Sequence, residues 1–220
     1  HTAMVIDFFF DFLSPYAYLA WTQVHEVARR HGATVRPVPT LLAALLAHGQ
    51  TRGPAEIPAK RVYVFVDTLR TARHLAVPFG PPPAHPFNPL LALRACSIVD
   101  GDDQRRLIDA LFAQTWGGQH IGCDTPDKLA QAARTAGVDG AIVEGAAGDG
   151  AKAKLRKNTD AAIARGVFGV PTMTTGPGPS TFFWGLDAFP ALERHLAGNE
   201  NISDADIEKW SGLPMAASRI

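Results

Sequence analysis

Three short stretches of the 220-residue chain set polar side chains beside backbone groups that are free to act with them. The first is "DFLSPYAYLAW", residues 11–21, where an apolar strand gives way to a helix at Ser14-Pro15. Free N–H groups and the helix dipole converge at such a junction and favour negative charge. A hydroxyl there either caps the helix or donates to a bound anion. The second is "GVFGVPT", residues 166–172, in which Val170-Pro171 leads into a strand. Proline is tolerated at that position because it owes the ladder no hydrogen bond, and a cis bond would turn the Val170 N–H and C=O toward an extended peptide ligand. The third is "FWGLD", ending at Asp187 directly before the last long helix. Its carboxylate either caps that helix or holds an ammonium group while neighbouring N–H groups hold a carboxylate, the two contacts an amino-acid head group needs.

Two halves must bring these stretches together. "VIDFFFDF", residues 5–12, is rich in aromatic and β-branched side chains and reads as a buried strand. Ser14 as cap, Pro15 at the first helical position and Trp21, Val24 and Ala28 at helical spacing then give a helix that Gly32 stops, followed by a strand in "TVRPVP". Residues 40–165 are helical by pattern. "VYVFV" alone can pass for a strand, but Val62, Phe65, Val66, Leu69, Arg73 and Ala76 hold one helical face. Further helices are expected over 89–99, 102–116, 125–136 (Thr125 as cap, Pro126 first) and 151–165, with the proline-rich residues 77–89 as an extended connector. From Gly166 the order becomes strand, strand, helix. The expected fold is α/β, with β-α-β and β-β-α halves around an all-helical insertion. The boundaries are 4–40 and 166–199 for the two halves, 41–165 for the insertion and 200–220 for a C-terminal arm.

Composition narrows the function classes. Hydrophobic residues at 46%, charged residues at 19% and a net charge of +0 describe a globular enzyme-like chain and argue against a nucleic-acid partner. Cys96 and Cys123 form neither a C-x-x-C pair nor a zinc spacing, which fits a reducing cytoplasm, and the histidines show no metal-binding pattern, so no metal is expected. No apolar run spans a membrane, and His1 to Ala3 read as a remnant before Met4.

Taken together with "PAEIPAKRVYV" (54–64), "HPFNPLLALRA" (85–95) and "FFWGLD" (182–187), these stretches resemble the thioredoxin-like superfamily with a helical insertion. Within it they are similar to the 2-hydroxychromene-2-carboxylate isomerases and the kappa-class glutathione transferases. The likeness covers nearly the whole chain. Relatives commonly carry C-x-x-C at the strand-to-helix junction, where this chain has Ser14 and Ala17, so its own residues cannot exchange disulfides there. The resemblance implies glutathione as cofactor, with Ser14 donating to the sulfur anion, the Val170-Pro171 backbone against the cysteinyl part, and Asp187 and the Leu186 N–H on the γ-glutamyl head. Lys60 is implied for the glycyl carboxylate or a nearby anion; Tyr16, Trp21, Arg52 and Asn88 are implied around an aromatic α-keto acid substrate. Lys60 can equally be an idle surface lysine, and Asn88 a turn residue. The implied activity is a glutathione-dependent cis-trans isomerisation through transient thiolate addition; the alternatives are transfer of glutathione and a non-catalytic peptide-binding module. A homodimer is implied as well. The chain departs from the family at Ala47 and Thr51, where a lysine and an asparagine are usual, and at Leu186, where serine or asparagine precedes the aspartate.

Overall fold

A computed structural model describes residues 3–215; the first two residues of the expected remnant and residues 216–220 of the expected arm lie outside them. β1 (Val5–Phe10) is buried from Ile6 onward. It ends two residues before the expected strand over 5–12, because Asp11 turns the chain. The Asp11 carboxylate accepts from the Leu13 N–H at 3.0 Å and its carbonyl from the Ser14 N–H at 3.2 Å. α1 (Pro15–Arg30) then starts with Ser14 as cap and Pro15 in the first turn, where a missing N–H costs nothing. β2 (Thr34–Pro39) pairs parallel with β1, setting Phe8 opposite Pro37. β3 (Thr172–Thr174) and β4 (Phe182–Trp184) complete an antiparallel edge in the order β2-β1-β3-β4. The chain therefore returns after about 130 residues to lay β3 beside the strand it began with.

The helical block between β2 and β3 comprises α2 (Leu42–His48), α3 (Pro58–Leu75), α4 (Leu90–Ser97), α5 (Gly101–Trp116), α6 (Pro126–Ala136), α7 (Ile142–Ala147) and α8 (Asp149–Ala164). "VYVFV" lies within α3, whose Val64, Thr68 and Ala72 are buried at helical spacing while Val62 and Tyr63 face out. Thr125 caps α6 by accepting from the Lys128 N–H, with Pro126 next, as expected from the sequence. The proline-rich connector contains no helix. It bridges at Gly80 to Gly117, and the Gly80 N–H donates to the Trp116 carbonyl at 2.8 Å. α9 (Phe189–Leu196) follows β4, and α10 (Asp204–Ser211) lies against the turn at Pro179–Thr181. The peptide bonds His85–Pro86 and Val170–Pro171 are cis.

Side chains of the sheet and of the helical block enter one core. Phe8 and Phe10 of β1, Phe12, Trp21 of α1 and Phe112 of α5 lie ring against ring with centroids 4.8–6.4 Å apart. Such packing fixes β1 and α1, and with them the junction that carries Ser14. On the opposite face of β1, buried Asp7 accepts from Arg36 of β2 at 2.5 Å and from Arg165, just after α8, at 2.5 Å.

Candidate active site

Ser14 is only 8% exposed. Its Oγ accepts from the Ala17 N–H at 3.1 Å, while its hydroxyl proton has just one acceptor among the described residues, the Val170 carbonyl at 3.5 Å. That second contact lies at the outer limit of a hydrogen bond, so the proton is available to a better acceptor. The Tyr16 N–H, second in α1, has no intrahelical carbonyl to reach and adds to the positive end of the helix.

Val170 and Pro171 border a cavity of about 830 Å³, within the size range of small-molecule sites. Asp187 and Leu186 line the same cavity from the short turn Leu186–Ala188. The Gly185 N–H donates to the Pro171 carbonyl at 2.9 Å and ties that turn to the Val170-Pro171 strand end. Gly185 has φ 92°, a backbone conformation that calls for glycine, whereas the Asp187 carboxylate oxygen 2.8 Å from a Cβ there could turn aside. The Leu186 N–H makes no backbone hydrogen bond among the described residues and remains a free donor beside the exposed Asp187 carboxylate.

Tyr16 borders this cavity too, donating to Asp67 of α3 at 2.7 Å. Burial, then the hydrogen bond to Asp67, push its phenol well above the ordinary tyrosine range. It stays protonated at neutral pH and acts as a donor. Arg30 reaches the rim but is held by Glu193 and Glu26.

Trp21 is a correction to the expected aromatic wall. It is 3% exposed, its indole N–H donates to Asp109 of α5 at 2.6 Å, and it borders a different cavity on the opposite face of α1. Positions 16, 23, 27 and 30 of α1 face the Val170 side, whereas 18, 21, 22 and 25 lie half a helical turn away. Asn88 is exposed and its Oδ1 accepts from the Leu90 N–H at 3.0 Å, opening α4. Lys60 and Arg52 are exposed, have no ion-pair partner among the described residues, and line neither cavity. Beside Arg52, the buried Gly53 N–H donates to the Glu56 carboxylate at 2.5 Å.

Tyr63, Asp67 and Trp184 also line the cavity and were not anticipated. The first two stand one helical turn apart in "YVFVD", a signal that was legible once α3 was oriented. Trp184 is 54% exposed and packs edge-on to Phe168 with centroids 5.0 Å apart, extending an aromatic rim from the Val170 strand end.

A buried strand-to-helix junction facing a cis-proline strand end, with no cysteine at either, defines a thioredoxin-like site without its own thiol. The chain matches the DSBA-like thioredoxin domain over residues 5–197 and belongs to that family. Among its relatives, a 2-hydroxychromene-2-carboxylate isomerase of Sphingobium xenophagum is 31% identical over 87% of this chain and 97% of its own. Glutathione S-transferase kappa 1 of Caenorhabditis elegans is 25% identical over 90% of this chain and 93% of its own. A solved 2-hydroxychromene-2-carboxylate isomerase superposes with a TM-score of 0.79 at 27% identity, covering 96% of this chain and 100% of that one. These relatives are enzymes by name, isomerases and transferases. No helix of the described residues is long and apolar enough to cross a membrane.

Proposed function

We propose that the chain is a glutathione-dependent isomerase of the 2-hydroxychromene-2-carboxylate type, acting on an aromatic α-keto acid or its cyclised form. The observation that carries this reading is the Ser14 hydroxyl, capped on its acceptor side by Ala17 and poorly matched on its donor side. The cavity suits a γ-glutamyl tripeptide: Asp187 for the ammonium, the Leu186 N–H for the adjacent carboxylate, and the backbone of Val170 for the cysteinyl unit. Ser14, which does not line the cavity but reaches the Val170 carbonyl at its border, is assigned to the sulfur. The resemblance assigns Lys60 to the glycyl carboxylate and Tyr16, Arg52 and Asn88 to the substrate side; of these four, Tyr16 alone borders the cavity. When bound, glutathione supplies a thiolate able to add reversibly to a conjugated carbon, making a double bond single long enough to rotate.

Ser14 contributes by favouring that thiolate. A hydrogen bond to a charged group is worth roughly 1.5–3 kcal/mol, or about 1 to 2 pKa units. A thiol near pKa 8.5 in water thereby falls to roughly 6.5 to 7.5. Tyr16, held protonated, donates rather than removing a proton.

Product analysis tests the reaction class. The isomerase reading expects a cis-to-trans change that requires glutathione and leaves its concentration constant. Accumulation of a thioether adduct instead identifies a transferase, the activity named for the Caenorhabditis elegans relative. Absence of glutathione binding alongside peptide affinity at the Pro171 edge identifies a non-catalytic module. The homodimer belongs to the same proposal, and a sedimentation mass near twice 23.5 kDa supports it while a mass near 23.5 kDa removes it.

A further inference from the structure

The turn between β1 and α1 is held by side chains of the helical block at consecutive carbonyls. The Trp116 indole N–H donates to the Phe12 carbonyl at 2.7 Å, and His85 Nε2 lies 2.9 Å from the Leu13 carbonyl. A carbonyl oxygen only accepts, so Nε2 must carry the ring proton. Nδ1 of the same ring faces Nη1 of Arg61 at 3.4 Å, and a guanidinium only donates, so Nδ1 must offer its lone pair. Both neighbours therefore select one neutral tautomer. Arg61 is itself fixed, donating through Nη2 to the His85 carbonyl at 2.9 Å and lying over the Phe65 ring.

We propose that His85 is a positioning residue for Ser14: as the neutral Nε2–H tautomer, selected by Arg61, it holds the Leu13 carbonyl and so sets the peptide from which Ser14 projects. Leu13 and Ser14 share that peptide, and rotating it moves Oγ relative to both Ala17 and Val170. Protonation would place a second donor against Arg61, the charged group that faces the ring; the other ring neighbours, Phe65, Phe87 and Trp116, carry no charge. Burial, with a smaller push from Arg61, holds the imidazole below its ordinary range even though the Leu13 hydrogen bond raises it. Asp11 is the other titrating group of this turn, through its bonds to the Leu13 and Leu42 N–H groups.

What Ser14 does for sulfur rests on the proposed function, whereas where Ser14 points does not, so the test reads the Ala17 amide, which donates to Ser14 Oγ. Ring nitrogen spectra of the full chain should show the neutral Nε2–H form at pH 7. His85→Leu should lower amide-exchange protection at Ala17 by about tenfold, while protection at Met173 in β3 stays unchanged. His85→Gln offers one donor and one acceptor without a titrating ring. It should restore Ala17 to within about twofold and remove the His85-dependent loss of protection in acid, leaving the Asp11 dependence in place. An Nδ1–H tautomer, wild-type protection at Ala17 in His85→Leu, or a His85→Gln variant no better than leucine would each overturn the proposal. Should the leucine variant not fold, the tautomer and the glutamine pH profile still decide. Glutathione titration of wild type separately reports whether the proposed function fails.

Discussion

At Ser14 the two roles open to a serine before proline, cap and donor, do not compete. The oxygen lone pair serves Ala17, and the proton is left facing a carbonyl 3.5 Å away. Three residues earlier, Asp11 is fully buried, and desolvation pushes its carboxyl from 3.8 up to about 7 despite two N–H donors. Between those values the folded chain holds a proton that the unfolded chain has released. This contribution is therefore complete below about pH 4 and is lost as pH rises through about 7, an effect on the order of 4 kcal/mol. Urea denaturation at pH 4.5 and 7.5 should show Asp11→Asn lacking that decline, and identical declines in both proteins would contradict it. The proposed site residues Ser14, Val170, Pro171, Leu186 and Asp187 could be singled out in the sequence because junction, proline and aspartate each carry a local signature. Where Trp21 sits could not be read. An aromatic residue on an amphipathic helix has the same spacing whether it meets a ligand or Asp109, which lies 88 positions further along.

Elements were legible where local chemistry and periodicity agreed. Thr125-Pro126 announced α6, and Thr125→Ala should cost about 1 kcal/mol in denaturant titrations. A loss within error of zero would show that the cap is dispensable. α3 was recoverable as a helix although its "VYVFV" core favours strands locally, but its buried face was not: Val62, Val66 and Leu69 of the expected face are exposed, and Val64, Thr68 and Ala72 are buried instead. The end of β1 was not, because the aromatic run continues to Phe12 while the Asp11 carboxylate, acting through tertiary burial, stops the strand. The connector was recognised as extended, yet its seat was hidden. A Cβ at Gly80 would lie 2.9 Å from the Gly118 Cα, so the connector and the end of α5 touch backbone to backbone. Gly80→Ala should destabilise by roughly 1–3 kcal/mol on chemical denaturation, and a neutral result would mean that the approach relaxes freely.

Across the whole molecule, function depends on pairs the chain keeps far apart. Ser14 and Val170 are separated by 156 positions, and only return of β3 beside β1 brings them together. Periodicity cannot encode such a closure; the resemblance of the whole pattern to a known family supplied it. Part of the closure is electrostatic, since Arg165 donates to buried Asp7 at 2.5 Å and to the Thr174 hydroxyl at 3.1 Å. Arg165→Ala should cost roughly 1–3 kcal/mol in thermal or urea unfolding, with Arg36 still partnering Asp7. No change would assign the closure to the apolar core alone. What the architecture is proposed to do is lower the proton affinity of a thiol that the chain does not own. The most direct measurement is ultraviolet thiolate absorbance of glutathione titrated against pH with wild type and Ser14→Ala. The account predicts a bound thiol of pKa roughly 6.5 to 7.5 that rises by about 1 to 2 units in the variant. Equal values in the two proteins, or a thiol that titrates as it does in water, would contradict it.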